Sequence, residues 1–311
     1  MTGTVLVTGG SGFLGRHVVP GLAARGWRVR AAARHPADML MAPACEAVTL
    51  PDLRKPVRWE PLLEGVTHVV HLAGIAHAGP GVAEADFERV NAEATGELAR
   101  AAKRRVQRIV FASSVRAQCG PGAPSTLRES DPCHPDDAYG RSKLKAERLL
   151  AEADAPWVAL RSVLVYGAGM RGNMGALAAL ARTPWPLPFG AMRNRRSLLA
   201  VENLVSAVDL ALRSADAPGH SFLVADPEPV TLPQIVAALR RGFGRRPGLV
   251  PLPPLLLGAA LRAVGKEAEW KRLSQSLVVD TSALQGLGWR APLATEEALT
   301  RLADRLAADK T

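Results

Sequence analysis

The chain has 311 residues, 48% of them hydrophobic and 22% charged, with 39 basic side chains against 29 acidic ones and a net charge of +10. That length gives one large domain or two small ones with a sizeable core, and the composition excludes disordered, collagen-like and coiled-coil chains. The longest uncharged stretch, Pro247–Leu261, is broken by Pro251, Pro253 and Pro254 and falls short of the ~20 apolar residues that a spanning helix needs. No membrane insertion is expected, and no N-terminal leader, because the first residues already read as a strand. Cys45, Cys119 and Cys133 lack metal-ligand spacing, and an odd number argues against a disulfide framework. A cytoplasmic protein without a metal is the expectation. Nucleic acid is not an expected partner, since the basic residues are spread along the chain and aromatic residues make up only 5%. A positive field also attracts small anionic substrates.

Thr4–Thr8 is a short apolar run followed at once by Gly9-Gly10-Ser11-Gly12-Phe13-Leu14-Gly15. Arg16–Arg25 then shows apolar residues at helical spacing and ends at Gly26, and Trp27–Ala33 reads as a second strand. Strand, glycine turn, helix and strand within about 30 residues is the βαβ unit of a parallel sheet. Further strands are predicted at Ala47–Leu50, His68–Leu72, Arg108–Ala112 and Val158–Leu164, with helices at Phe87–Arg104 and Tyr139–Glu152 between them. This alternation predicts an α/β fold, a doubly wound parallel sheet with a smaller C-terminal substrate-binding domain. Residues 1–166, with 197–226 returning to them, are assigned to the dinucleotide-binding domain, and 167–196 with 227–311 to the substrate domain. The apolar run Leu249–Leu261 reads as a packing helix rather than a membrane-surface anchor, for want of a matching basic face.

Two constellations carry chemistry. In the glycine turn, Gly9 permits the tight turn, Gly12 lets the backbone approach a pyrophosphate, and Gly15 lets helix and strand pack closely. The helix N-terminus, with Phe13 and Leu14, offers N–H groups to the phosphates. At the end of the second strand an acidic residue would bind the ribose 2′-hydroxyl of NAD. Ala33, Arg34 and His35 stand there instead, so a 2′-phosphate is tolerated and Arg34 tilts the choice between NAD and NADP toward NADP.

The second constellation is Ser114, Tyr139 and Lys143. Tyr139 and Lys143 are four apart on a predicted helix and point from one face, while Ser114 stands at the carboxyl edge of a strand, where open α/β sheets place ligands. An ammonium near the phenol is expected to lower its pKa and make Tyr139 a general base or acid, with Ser114 orienting the reacting oxygen. Cys119 and Cys133 flank this region without a base partner and read as packing residues.

With these motifs the chain resembles an extended short-chain dehydrogenase/reductase over nearly its full length. The resemblance rests on TGGSGFLG (Thr8–Gly15), Asp52-Leu53, HLAG (His71–Gly74), FASS (Phe111–Ser114), YGRSK (Tyr139–Lys143), LRSVLVYGAG (Leu160–Gly169) and LGW (Leu287–Trp289). Within that family it is most similar to nucleotide-sugar 4-epimerases of the UDP-glucose epimerase type, in the branch linked to bacterial surface polysaccharides. His77, MRGN (Met170–Asn173), PLPFG (Pro186–Gly190) and NRRSL (Asn194–Leu198) point there.

The resemblance implies that Asp52 and Leu53 sit by the adenine and that Leu72, Ala73 and Gly74 line the dinucleotide path. It also implies that Asn173, Arg196 and Arg272 hold the substrate diphosphate. Arg196 has a case of its own, because a planar fork of donors suits a phosphate. His77 reads equally as a substrate contact or a pocket-wall histidine, and Asn91 as a support of the active-site backbone or a plain helical residue. A homodimer packed through Phe87–Arg104 and Tyr139–Glu152 is implied too.

The departures narrow the chemistry. Dehydratases of this family carry an Asp-Glu pair where Val115 and Arg116 stand, so dehydration is not expected. Epimerases carry an acidic residue at Ala33 and an Asn near Leu164. The leading expectation is a UDP-hexose 4-epimerase. The alternatives are an NADPH-dependent 4-ketoreductase, a reductase of a hydrophobic ketone and a non-catalytic dinucleotide sensor.

Overall fold

The computed structural model describes residues 3–36, 45–76, 82–170 and 172–308, without the side chains of Ala268, Glu269 and Arg272. His77 and the side chain of Arg272 lie outside the described residues.

Seven parallel strands form the central sheet: β1 (Thr4–Thr8), β2 (Arg28–Ala33), β3 (Cys45–Thr49), β4 (His68–His71), β5 (Arg108–Ser114), β6 (Trp157–Ser162) and β10 (His220–Val224). Their order is β10-β6-β5-β4-β1-β2-β3, so the winding reverses between β1 and β4, and a ligand crevice opens beyond the carboxyl ends of those two strands. The central strands are apolar on both faces because helices cover both. On one side α1 (Gly15–Ala23) and α7 (Val201–Arg213) bury Val18, Val19, Leu22, Leu204 and Val208. On the other, α4 (Ala94–Ala102) and α5 (Ala138–Glu152) bury Leu98, Ala99, Ala146 and Leu150. Each fully buried Leu or Val contributes roughly 1.5–3 kcal/mol.

Two buried arginines tie the layers together. Arg108 on β5 donates to the carbonyls of Ala211 (2.8 Å) and Ser214 (2.7 Å), meeting the negative end of α7. Arg161 on β6 forms a buried ion pair with Glu147 on α5 at 2.6 Å.

Two predicted elements differ in detail. The expected strand Val158–Leu164 divides into β6 and a short β7 (Leu164–Tyr166), which leaves the sheet to pair with β9 (Leu198–Ala200). The expected helix Phe87–Arg104 begins earlier, as α3 (Glu84–Phe87), and passes through a π-helical segment, Glu88–Glu93, before α4. Wide turns of this kind occur mostly at functional sites, and this one carries Asn91.

Beyond Tyr166 lie α6 (Gly172–Arg182), the two-residue strands β8 (Arg195–Arg196) and β11 (Val230–Thr231), α8 (Leu232–Gly242), α9 (Pro254–Ala263), α10 (Glu267–Ser274), α11 (Ser282–Gly286) and α12 (Thr295–Ala308). α6, α8 and α12 share an apolar cluster that includes Ala178, Ile235, Leu239, Leu299 and Leu302. α8 starts with a capping box, in which Thr231 and Gln234 satisfy each other's backbone N–H groups. Among the described residues no helix is long and apolar enough to cross a membrane.

Candidate active site

β1 delivers the chain to Gly9, whose φ of +75° is left-handed. A Cβ at Gly9 would stand 2.9 Å from the Ala73 nitrogen, so the turn presses directly on the chain leaving β4. A Cβ at Gly15 would collide with the carbonyls of Gly9 and Gly10. No side chain caps α1 and no carboxylate stands in its first turn. The Arg16 and His17 N–H groups already donate to the Gly12 and Leu14 carbonyls, so the helix start offers an anion its positive dipole end and the N–H groups of the turn that precedes it. This bare, glycine-lined cradle at the strand-order reversal fits the pyrophosphate of a dinucleotide.

The remaining residues on the expected dinucleotide path follow the neighbouring strands. Leu72 and Ala73 lie against β1, the Leu72 N–H donating to the Thr8 carbonyl and the Ala73 N–H to Thr8 Oγ1, both at 3.2 Å. Arg34 is exposed just past β2. Asp52 is exposed beyond β3 and accepts from the Arg54 N–H, whereas Leu53 is buried in the core beside Trp59 and Leu63.

At the end of β5, Ser114 Oγ accepts from the Arg116 N–H at 3.2 Å and shares a hydrogen bond with the Tyr139 phenol. Asp137 caps α5 by accepting from the Gly140 N–H at 2.7 Å, which fixes the first turn carrying Tyr139. One turn on, Lys143 Nζ donates to the Ala112 carbonyl at 2.8 Å and lies 4.5 Å from the Phe111 ring centroid and 5.9 Å from that of Tyr139. Sequence spacing and sheet edge thus bring Ser114, Tyr139 and Lys143 together.

The electrostatics correct one expectation. Burial pushes the Tyr139 phenol up; the Ser114 hydrogen bond draws it down, Asp137 adds to the rise, and the Arg116 guanidinium opposes it. Lys143 is itself brought down to about 8 by burial, against the pull of Glu147. Its ammonium donates to the Ala112 carbonyl, and the groups that draw the phenol down against its burial are Ser114 and Arg116.

Asn91 has a defined task. Its Oδ1 accepts from the Ile75 N–H at 2.7 Å, and its Nδ2 donates to the Ile75 carbonyl (2.9 Å) and to Ser142 Oγ (3.0 Å). Ser142 Oγ donates in turn to the Tyr139 carbonyl at 2.7 Å. A Cβ at Gly74 would stand 2.7 Å from Asn91 Oδ1, so Gly74 makes room for this bond. The fully buried Asn91 therefore links the chain after β4 to the helix of Tyr139.

Arg196 on β8 is half-buried and donates to the carbonyls of Gln275 (3.3 Å) and Pro121 (3.0 Å). Burial and the nearby Arg116 lower its pKa. Arg116 itself bridges Asp136 and Asp137, each at 2.6 Å, at the start of α5. The Arg116 charge thus acts on both Arg196 and the Tyr139 phenol. Asn173 is exposed in the first turn of α6.

A buried relay escaped the sequence reading. The Thr95 hydroxyl donates to the Asn91 carbonyl at 2.7 Å, which leaves its oxygen to accept from His71 Nε2 at 3.1 Å. His71 Nδ1 then accepts from Thr8 Oγ1 at 2.7 Å, and Thr8 Oγ1 accepts from the Ala73 N–H. Each step fixes the next, so His71 is neutral with its proton on Nε2. Burial, with the Lys143 charge adding, holds its pKa down to about 3. The HLAG motif contained the signal, but its partners Thr8 and Thr95 lie 63 and 24 residues away.

A glycine cradle at the sheet's reversal, beside a serine, tyrosine and lysine at the neighbouring strand end, defines a dinucleotide-dependent enzyme of the epimerase and reductase class. The family model described as NAD dependent epimerase/dehydratase matches residues 5–225, and the chain belongs to that family. It is 30% identical to a UDP-glucose 4-epimerase of Vibrio cholerae over 317 residues, covering 97% of this chain and 95% of that protein. It is 27% identical to a ceramide reductase of Caulobacter vibrioides over 252 residues, covering 81% and 74%. Among solved structures it resembles MoeE5 in complex with UDP-glucose and NAD, with a TM-score of 0.75 and 25% identity over 99% of this chain and all of that one.

Proposed function

We propose that this protein is a nucleotide-sugar 4-epimerase that inverts C4 of a UDP-hexose through a transient 4-keto sugar. The observation that carries the reading is half-buried Arg196 with Arg116 near it, the Arg116 charge acting in turn on the Tyr139 phenol. A planar cationic fork there suits a diphosphate, and the full-length likeness to the Vibrio cholerae enzyme supports the same substrate class.

A bound NAD or NADP would supply a hydride acceptor that returns the hydride to the opposite face of the sugar. The glycine turn, with Phe13 and Leu14, would hold its pyrophosphate, and Leu72, Ala73 and Gly74 would line its path. Asp52 and Leu53 would lie by the adenine, and exposed Arg34 favours NADP. Ser114 orients the C4 oxygen. Tyr139 removes its proton and later returns it, and Lys143 positions the dinucleotide ribose and adds positive charge. Arg196 and Asn173 hold the diphosphate while the keto sugar turns over, and His77 and Arg272 belong to the same proposed set. Residues 167–196 and 227–311 form the substrate domain of this reading, which also includes a homodimer through α4 and α5 in the cytoplasm.

One observation favours a second reading. Burial keeps the Tyr139 phenol protonated, which suits a proton donor, and reductases stand among the relatives. In that case the protein is an NADPH-dependent ketoreductase. Native mass spectrometry of the purified protein separates the two. Stoichiometric dinucleotide retained without substrate, and released on denaturation, is the expected result. A site that fills reversibly with NADPH overturns epimerisation in favour of reduction.

A further inference from the structure

Among the described residues seven large apolar side chains remain exposed, and all fall within 155–201 and 229–266, two stretches without a single Asp or Glu. Leu255 is 84% exposed, Trp185 72% and Val264 66%, and Leu180, Val250 and Leu256 are exposed with them. Tertiary contacts draw the two stretches together. Arg240 Nη2 donates to the Trp185 carbonyl at 2.6 Å while its Nη1 donates to the Pro247 carbonyl at 3.0 Å. A short ladder continues from there, Leu187 N–H to Gly248 and Val250 N–H to Leu187, both at 2.9 Å, and α9 begins four residues beyond Val250.

The two halves of α9 differ in task. Leu257 and Leu261 face inward onto the cluster of Leu187, Phe189, Met192 and Val236, and Gly258 packs against Trp270. The outer half presents Leu255, Leu256, Ala259, Ala260 and Val264 to solvent, where a surface helix ordinarily carries polar side chains. Exposed Arg245 and Arg246 precede it, and exposed Arg262 and Lys266 stand at its far end. The basic face that the linear sequence did not reveal is supplied by residues before and after the helix.

We propose that the outer face of α9, with Trp185 and Val250, docks the protein on an anionic lipid surface. The apolar side chains enter the boundary between headgroups and acyl chains, Trp185 sits at headgroup level, and the arginines meet lipid phosphates. Charge selects this occupant over a second copy of the chain. A symmetric contact would set the same patch against itself, the four cations Arg245, Arg246, Arg262 and Lys266 facing their copies with, among the described residues, only exposed Glu267 beside them to pair with. The docking is interfacial and independent of the sugar-nucleotide reading.

Co-sedimentation of the full chain with vesicles tests it. Vesicles of phosphatidylglycerol mixed with phosphatidylcholine retain the protein, pure phosphatidylcholine retains it at least ~10-fold less, and added salt weakens retention. The double variant Leu255→Asp/Leu256→Asp loses ~10-fold or more in vesicle affinity while dinucleotide binding is unchanged. Arg245→Gln/Arg246→Gln loses the preference for the anionic vesicles. Failure of the mixed vesicles to retain the wild-type chain overturns the proposal, as does undiminished binding by the Leu255/Leu256 variant. A dimer in sedimentation velocity that this variant abolishes, without vesicle binding, reassigns the face to self-association.

Discussion

The side-chain amide of Asn91 closes a two-bond ring with the backbone of Ile75, its oxygen taking the N–H and its nitrogen giving to the carbonyl. The second proton on that nitrogen reaches Ser142, which holds the carbonyl of Tyr139. The chain leaving β4 and the helix of the reactive phenol are therefore positioned by one buried group.

Replacing Asn91 with Ala leaves the Ile75 N–H and carbonyl without their partner. Each buried polar group so orphaned costs about 1–3 kcal/mol. The variant is expected to melt several degrees lower and to lose turnover beyond the loss in stability, because Tyr139 is no longer held. Calorimetry beside steady-state kinetics checks this, and unchanged kcat in a destabilised variant would reduce Asn91 to a packing residue.

His71 makes stability depend on pH in a defined direction. Its folded pKa, about 3, lies below the unfolded value of 6.5, so the unfolded chain binds the extra proton as pH falls between them. The stability contributed by the neutral imidazole is complete above pH 6.5 and is lost on acidification toward pH 3, by up to about 5 kcal/mol. Asp226 works oppositely, since burial raises its carboxyl to about 6 and stability falls as pH rises from 3.8 to that value. The two are separated by following the His71 ring nitrogens by NMR. A neutral ring protonated on Nε2 down to pH 5 is expected, and a titration midpoint near 6.5 contradicts the relay.

Glu147 and Arg161 form a buried pair joined by Ser113, Ser221 and Gln118. Removing one charge strands the other, so Glu147→Ala or Arg161→Ala should cost about 3–5 kcal/mol. Replacing both with Leu and Met restores part of that loss. Urea denaturation of the two single variants and the double variant measures the coupling, and strictly additive losses would show that the pair acts as two separate residues.

Arg196 discriminates among substrates. If it holds a diphosphate, Arg196→Ala raises KM for a UDP-sugar at least ~10-fold, the loss expected when a charged hydrogen bond is removed. Dinucleotide affinity is unchanged. Indifference of KM favours a hydrophobic ketone as substrate. Tyr139→Phe should reduce kcat ~10²–10⁴-fold in either case, and retained activity in that variant would support the non-catalytic alternative.

The winding of the sheet, the glycine cradle and the Ser114, Tyr139 and Lys143 positions were legible in the sequence because each depends on local spacing. A period of two or 3.6, a glycine that a turn demands, or two side chains four apart on a helix needs no knowledge of distant residues. The charge environment of Tyr139, the tautomer of His71 and the task of Asn91 depend on partners brought together only by sheet register and helix packing. The burial that raises the phenol and quiets Lys143 has no linear signature either. For α9 the sequence gives an apolar run without a basic face, and folding decides which half is covered and which arginines surround the rest. Local periodicity determines elements, whereas electrostatics and exposure are properties of the packed chain.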